Sequence, residues 1–189
     1  MTAPQIISRD RSVLSPWVTL ETISVARDES SVDIFHALRQ ADYVQVFAMT
    51  GNGAFILVRQ YRPVIERWTI EFPGGLRDPG ESAEMAAARE LKEESGYEMS
   101  EIVPLVESDA DAGRLTNKFF GFFALADSIA DPEPGVDVLL VSGEELQGYA
   151  ASGRMACAGH IGLLYLAAVH PRVRELCRRC GYSAVPWLK

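Results

Sequence analysis

Apolar residues come in short bursts along this chain, punctuated by glycine, proline and small polar residues. Residues 17–24 (WVTLETIS) and 32–38 (VDIFHAL) predict two short strands, with a polar turn around Arg27–Ser31 between them. Tyr43–Met49 and Ala54–Arg59 are rich in β-branched and aromatic residues, and Thr50-Gly51-Asn52-Gly53 between them is a strong turn signal, so a hairpin is expected. Tyr61-Arg62-Pro63 breaks the sheet, Trp68–Phe72 resumes it, and Leu76–Glu81 forms a loop around Asp78-Pro79-Gly80. The best helix runs from Ser82 to about Ser95. Ser82 is a suitable N-cap, alanines and leucine favour the interior, and Gly96 stops it. Further strands are expected near Glu101–Glu107, Asn117–Leu125 and Val136–Val141. The last third is helical: Gly143–Ala151, about His160–Val169, and Pro171–Cys180 with proline in a first turn. Strands and helices mix without regular βαβ alternation, which points to an α+β or sandwich architecture.

Composition narrows the picture. A chain of 189 residues with 48% hydrophobic and 23% charged residues supports an ordinary packed core, in one domain with at most a small appendage. The net charge of −8 argues against nonspecific binding to nucleic acid, where basic patches dominate affinity. Three cysteines are too few for a disulfide framework, and their odd number points away from secretion. Cys177 and Cys180 form a C-x-x-C pair, yet no second pair completes a zinc site, and Cys157, His160 and His170 match no zinc spacing. The pair is expected to be two thiols near a helix end. The N-terminal sequence has no continuous apolar segment of the kind a secretory signal carries, and no apolar run reaches a membrane-spanning length. Cytoplasmic residence without membrane attachment is therefore expected.

The chemistry concentrates on the predicted helix. Within RELKEESG, Glu90 and Glu94 are one turn apart and share a face, with Glu93 beside them. Like charges at that spacing destabilise a helix unless a cation compensates them. A solvated acidic face is the commoner explanation of such a cluster. Here, however, Gly74 and Gly75 precede the helix and allow close backbone approach, and Glu81 lies eight residues before Arg89, where an ion pair could hold loop to helix. A hard divalent ion with oxygen ligands, Mg²⁺ above all, suits such carboxylates and keeps positions open for phosphate and water.

Written out, residues 75–97 read GLRDPGESAEMAAARELKEESGY. This stretch resembles the Nudix box: glycine, five residues, glutamate, seven residues, then R-E-U-x-E-E-x-G-U, where U is apolar or aromatic. Gly75, Glu81, Arg89, Glu90, Leu91, Glu93, Glu94, Gly96 and Tyr97 fill every fixed position. The resemblance implies the Nudix fold, an α/β/α sandwich with a mixed β-sheet between helices. It also implies a hydrolase that cleaves the diphosphate of a nucleoside diphosphate linked to a further group. Glu90, Glu93 and Glu94 would bind Mg²⁺ (or Mn²⁺ in its place), with the Gly74 carbonyl as a further ligand, while Glu81 and Arg89 hold the module in shape. The base assisting the attacking water would be Glu90, or Glu133 or Asp137 from a downstream loop.

Val58–Pro63 (VRQYRP), Ile70–Gly75 (IEFPGG) and Trp17–Glu21 (WVTLE) resemble the ADP-ribose and nucleotide-sugar pyrophosphatase branch. On that likeness residues 1–40 form a strand-rich dimerisation element and 41–189 the hydrolase domain with C-terminal helices. Arg59 and Arg62 would lie near the substrate phosphates, with Glu71 and Arg114 also on the substrate side. Trp17 would stack on the base or sit in a core or dimer interface, and Trp68 is expected in the core. One departure concerns the loop Glu107–Asn117, which lacks the proline common in ADP-ribose hydrolases of this branch. Nucleoside triphosphates or dinucleotides are alternative substrates, and a non-catalytic nucleotide sensor is the alternative from another class. The partners implied are a small nucleotide and a second copy of the chain.

Overall fold

The computed structural model describes residues 3–28, 31–128, 131–155 and 157–188, so the middle of the expected turn at Arg27–Ser31 lies outside the described residues. Two compact units emerge, one of residues 1–42 and 108–119, the other of residues 43–107 and 120–189.

In the first unit, β1 (Gln5–Val13), β2 (Thr19–Ala26) and β3 (Val32–Arg39) form an antiparallel sheet with β2 in the middle. The second and third strands meet the sequence expectation, with β2 starting two residues later than expected. The first strand was not expected: its residues are exposed at all but one position and carry no alternation. What pins it is Glu21, almost wholly buried on the central strand, which receives Arg11 at 2.8 Å, Arg9 at 3.1 Å and Arg39 at 3.5 Å. The Arg11 hydrogen bond holds the Glu21 carboxyl below its usual range, against the opposing effect of burial. Segment 108–119 fastens to β3 through Leu38 N–H to Arg114 O (2.8 Å) and Thr116 N–H to Leu38 O (3.1 Å). Ile6, Ile7, Val13, Val32, Ile34 and Phe35 leave this unit with much exposed apolar surface.

Among the described residues, the second unit carries a seven-stranded sheet ordered β10-β5-β4-β9-β8, with β6 on β5 and β7 on β4. The strands are β4 (Tyr43–Thr50), β5 (Phe55–Arg62), β6 (Arg67–Glu71), β7 (Gly74–Leu76), β8 (Tyr97–Asp109), β9 (Lys118–Ser128) and β10 (Asp137–Val141). The helices are α1 (Ala83–Ser95), α2 (Gly143–Ala151), α3 (Ala158–Val169) and α4 (Pro171–Arg179). The hairpin closes as expected: Thr50 N–H bonds Ala54 O at 2.8 Å, and Gly53 turns with φ +89°. Several bounds differ from expectation, β8 running Tyr97–Asp109 rather than near Glu101–Glu107 and β9 reaching Ser128, and two further differences have a clear cause. β5 runs on through Tyr61 and Arg62 before Pro63 ends it, because β6 pairs with it as far as Arg62↔Arg67. Gly74–Leu76, expected partly as loop, is a short strand because it pairs with β4.

Strand alternation on β4 divides the core in two. Val44, Val46 and Ala48 face α1 and pack with Ala86, Ala87 and Leu91, where small helix residues allow close approach. Gln45 and Phe47 face the other side, where Phe47 meets Phe55, Phe72, Phe123 and Trp187 with ring centroids 4.7–5.3 Å apart. The sheet is thus covered by helices on both faces, the sandwich expected. No described helix is long and apolar enough to cross a membrane.

His160 on α3 is fully buried beneath this second face. Its Nδ1 accepts the Phe72 N–H at 3.0 Å, which assigns the proton to Nε2, and Nε2 lies 2.7 Å from the Gln45 carboxamide. Burial lowers its pKa to about 4, so the folded ring is neutral at physiological pH. Between about pH 6.5 and pH 4 the unfolded chain binds a proton that the folded chain excludes. The ring's contribution is therefore full above that window and lost as pH falls through it. We predict that the stability lost in His160→Gln, measured by urea denaturation, is greatest at pH 7 and shrinks by on the order of 3 kcal/mol by pH 4. A pH-independent difference would contradict this assignment.

Candidate active site

The site is assembled by α1 and the strands that reach its C-terminal half. Ser82 caps α1 by accepting the Met85 N–H at 3.2 Å, and Gly96 ends it at φ +72° with its N–H on Lys92 O at 2.9 Å. With Ala86, Ala87 and Leu91 turned into the core, Arg89, Glu90 and Glu93 are directed to the helix flank and Glu94 is tucked beneath.

Arg89 is the hub. Its guanidinium donates to both Glu81 oxygens (3.1 and 3.0 Å), to Leu76 O (2.9 Å), to Glu90 (2.7 Å) and to Glu93 (3.1 Å). Glu81 reaches back to the Asp78 N–H at 3.1 Å, and the loop turns at Gly80 with φ +84°. The Glu81 hydrogen bonds push the Arg89 pKa still further up, and Arg89 in turn holds Glu81 low. Such forked, charge-assisted bonding fixes loop, strand end and helix as one body.

Glu94 is 9% exposed and accepts the Gly74 N–H at 2.8 Å and the Gln60 side-chain amide. Burial raises its pKa to about 7 despite these donors, and burial likewise raises that of Glu90 despite Arg89. The two glycines keep space clear, Gly74 against fixed backbone and Gly75 against a side-chain carboxylate. A Cβ on Gly75 would stand 2.5 Å from the Glu90 carboxylate, and one on Gly74 would collide with Val44 O. Gly75 therefore lets a carboxylate lie against the backbone.

Beside this stripe, Arg62 forks onto Glu71 (2.7 and 2.6 Å), and the Thr69 hydroxyl adds a bond to Glu71 at 2.5 Å. Burial pushes the Glu71 carboxyl up, but these hydrogen bonds outweigh it and the pKa falls below its usual range. The register pairs Gln60 with Thr69 and Val58 with Glu71, so Gln60, Arg62, Thr69 and Glu71 share the α1 face. Arg59 lies on the opposite face, bonded to Asp137 at 3.2 Å and stacked 4.4 Å over the Trp68 ring.

The structure thus brings together Gly74, Glu81, Arg89, Glu90, Glu93 and Glu94, with Arg62 and Glu71 adjoining. Glu133 joins at the helix end, its N–H on Glu93 O at 2.9 Å. Asp137 points with Arg59 to the other face. Trp68, expected in the core, is 51% exposed, because its strand is an edge. Trp17 and Arg114 belong to the first unit, where both side chains are exposed. Gln60 and Thr69 were not singled out from the sequence, although counting alternate residues from Arg62 and Glu71 leads to both.

No set of three side chains among the described residues closes into a preformed metal cage, since Arg89 spans Glu90 and Glu93 and the Glu94 oxygens are engaged. The donor set is nonetheless all-oxygen and anionic, as a hard divalent ion requires. The cysteines are free thiols, and burial raises Cys177 to about 11, which leaves it inert as a nucleophile.

The chain belongs to the NUDIX domain family, whose model matches residues 39–152. It is similar to the ADP-ribose pyrophosphatase of Bacillus subtilis, with 40% identity over 40% of this chain and 43% of that protein, so it spans less than half of that relative. It is also similar to the putative nudix hydrolase 2 of Caenorhabditis elegans, at 31% identity over 72% of this chain and 71% of the other. The crystal structure of an ADP compounds hydrolase shares the fold, with a TM-score of 0.76, 22% identity, and 96% and 97% of the two chains covered.

Proposed function

We propose that this protein hydrolyses the diphosphate linkage of a nucleoside diphosphate joined to a further group, with ADP-ribose or a nucleotide sugar as substrate and Mg²⁺ as cofactor. Nucleoside monophosphate and a sugar phosphate would be the products. The observation that carries the reading is the Arg89 hub, which gathers Glu90 and Glu93 beside the buried Glu94 and the Gly74–Gly75 backbone.

Glu90, Glu93 and Glu94 would hold the ion, with Gly74 O as a further ligand. When bound, Mg²⁺ neutralises the diphosphate, polarises a phosphoryl oxygen and acidifies a water. Arg62, oriented by Glu71, presents a guanidinium beside the carboxylates for a substrate phosphate. Glu90, itself in the stripe, or Glu133, whose backbone N–H bonds Glu93 O beside it, would take the proton of the attacking water. Likeness to ADP-ribose pyrophosphatases supports the substrate class. Free thiols fit a reducing compartment such as the cytoplasm.

Purified protein with Mg²⁺, coupled to a phosphatase, should release phosphate from ADP-ribose or a nucleotide sugar at least about tenfold faster than from nucleoside triphosphates or dinucleotides, and EDTA should stop it. Preference for a triphosphate, or turnover in EDTA, would overturn the reading.

The N-terminal strand unit is further proposed as a dimerisation element, because its exposed Ile6, Ile7, Val32, Ile34 and Phe35 form an apolar surface of the kind proteins cover. Light scattering at micromolar concentration should give twice the chain mass of 20.8 kDa, and a monomeric mass would sink the idea.

A further inference from the structure

The outer edge of the sheet at β6 holds a second concentration of chemistry. β6 is an edge strand, and beyond it the chain returns at residues 152–155, bonded through Ile70 N–H to Arg154 O at 3.4 Å and bridging at Met155. Along that edge lies a cavity of about 320 Å³ walled by Arg59, Arg67 and Arg154, with Trp68, Thr69 and Ser152 among its other lining residues.

The charge here runs against the whole molecule. In a chain of net charge −8, three guanidiniums surround one small cavity. One of the three has a counter-charge and two do not. Arg59 meets the exposed Asp137 at 3.2 Å, whereas Arg67 and Arg154 meet no carboxylate among the described residues. Two of the three are also pre-oriented by aromatic rings: Arg59 lies 4.4 Å over Trp68, and Arg154 lies 4.9 Å over Tyr149. A guanidinium stacked by its face turns its planar edge of N–H donors outward, the geometry that recognises phosphate, and Arg59 spends only Nη1 of that edge on Asp137. Like charges gathered without counter-charge repel one another, and an anion between them removes that repulsion.

We infer that this pocket on the outer edge of β6 is an anion site that binds the phosphate group of a small phosphorylated molecule through Arg59, Arg67 and Arg154. Arg59 lies on the sheet face opposite Arg62 and Glu71, whereas Arg67 pairs with Arg62 in the strand register and shares its face; the pocket wraps the strand edge and contains no metal-ligating carboxylate, so it needs no divalent ion. Inorganic phosphate and a nucleoside monophosphate carry the same chemistry, and a product of the proposed hydrolysis would be among the candidates. The site's existence does not depend on that reaction.

The test is calorimetric titration of the full chain in EDTA at low salt, with inorganic phosphate in one arm and AMP in the other. Wild type should bind saturably in the millimolar range or tighter, and Arg67→Ala/Arg154→Ala should weaken binding at least about tenfold, with circular dichroism confirming the fold. Ser152→Asp, which keeps every arginine but adds a carboxylate to the pocket wall, should weaken it similarly. Equal affinity in the two arms identifies the phosphate group alone as the ligand; tighter binding of AMP adds the nucleoside to it. No saturable binding by wild type, or binding that survives both variants unchanged, overturns the inference. Because EDTA silences metal-dependent turnover, either result leaves the hydrolysis question separate.

Discussion

Everything at the candidate active site leans on the Arg89 guanidinium. Three carboxylates within one and a half turns of α1 would repel each other and the preceding loop if nothing stood between them. Arg89 stands between them, donating to Glu90 and Glu93 on its own helix and to Glu81 and Leu76 O across the loop. Arginine suits the position because its five donors lie in one rigid plane, where lysine would present a point charge. The same residue therefore supplies counter-charge and shape. Its bonds to Glu90 and Glu93 also mark the donors that would have to yield for those oxygens to coordinate a metal ion.

The second constraint is backbone proximity. Gly74 and Gly75 sit in a three-residue strand against Val44 and Gln45 of β4, so the sheet itself fixes where their amide and carbonyl groups point. Glu94 is held by one of those amides and by Gln60 from β5. Helix, sheet and loop thus each contribute one immovable part. On the reverse face, His160 and Gln45 secure Phe72, two residues upstream of Gly74, so the core supports the site from behind.

How legible this was in the amino-acid sequence varied with the range of the interactions. α1 and the β4–β5 hairpin announce themselves locally, through Ser82, Gly96 and Gly53 at the positions where caps and turns demand them. The nine box positions carried the carboxylate stripe and its arginine. β1 was invisible because its residues bury almost nothing; a buried glutamate on a neighbouring strand and two of its own arginines hold it. β7 was invisible because Gly-Gly-Leu has no strand preference and pairs only through a partner thirty residues away. Arg59 and Arg62 looked equivalent in the motif, yet three residues along a strand means opposite faces, and the register confirms the separation. The same periodicity explains why Trp68 shares its exposed face with Arg59 rather than the core.

The central claim is that the stripe on α1, held by Arg89, is a divalent-metal site. Binding of Mn²⁺ followed by electron paramagnetic resonance, comparing wild type with Glu94→Gln, addresses it without reference to any substrate. The account predicts saturable Mn²⁺ binding by wild type and affinity lowered roughly tenfold or more in the variant, whose amide is isosteric but uncharged. Unchanged affinity in a folded variant, or no binding by wild type, would contradict it.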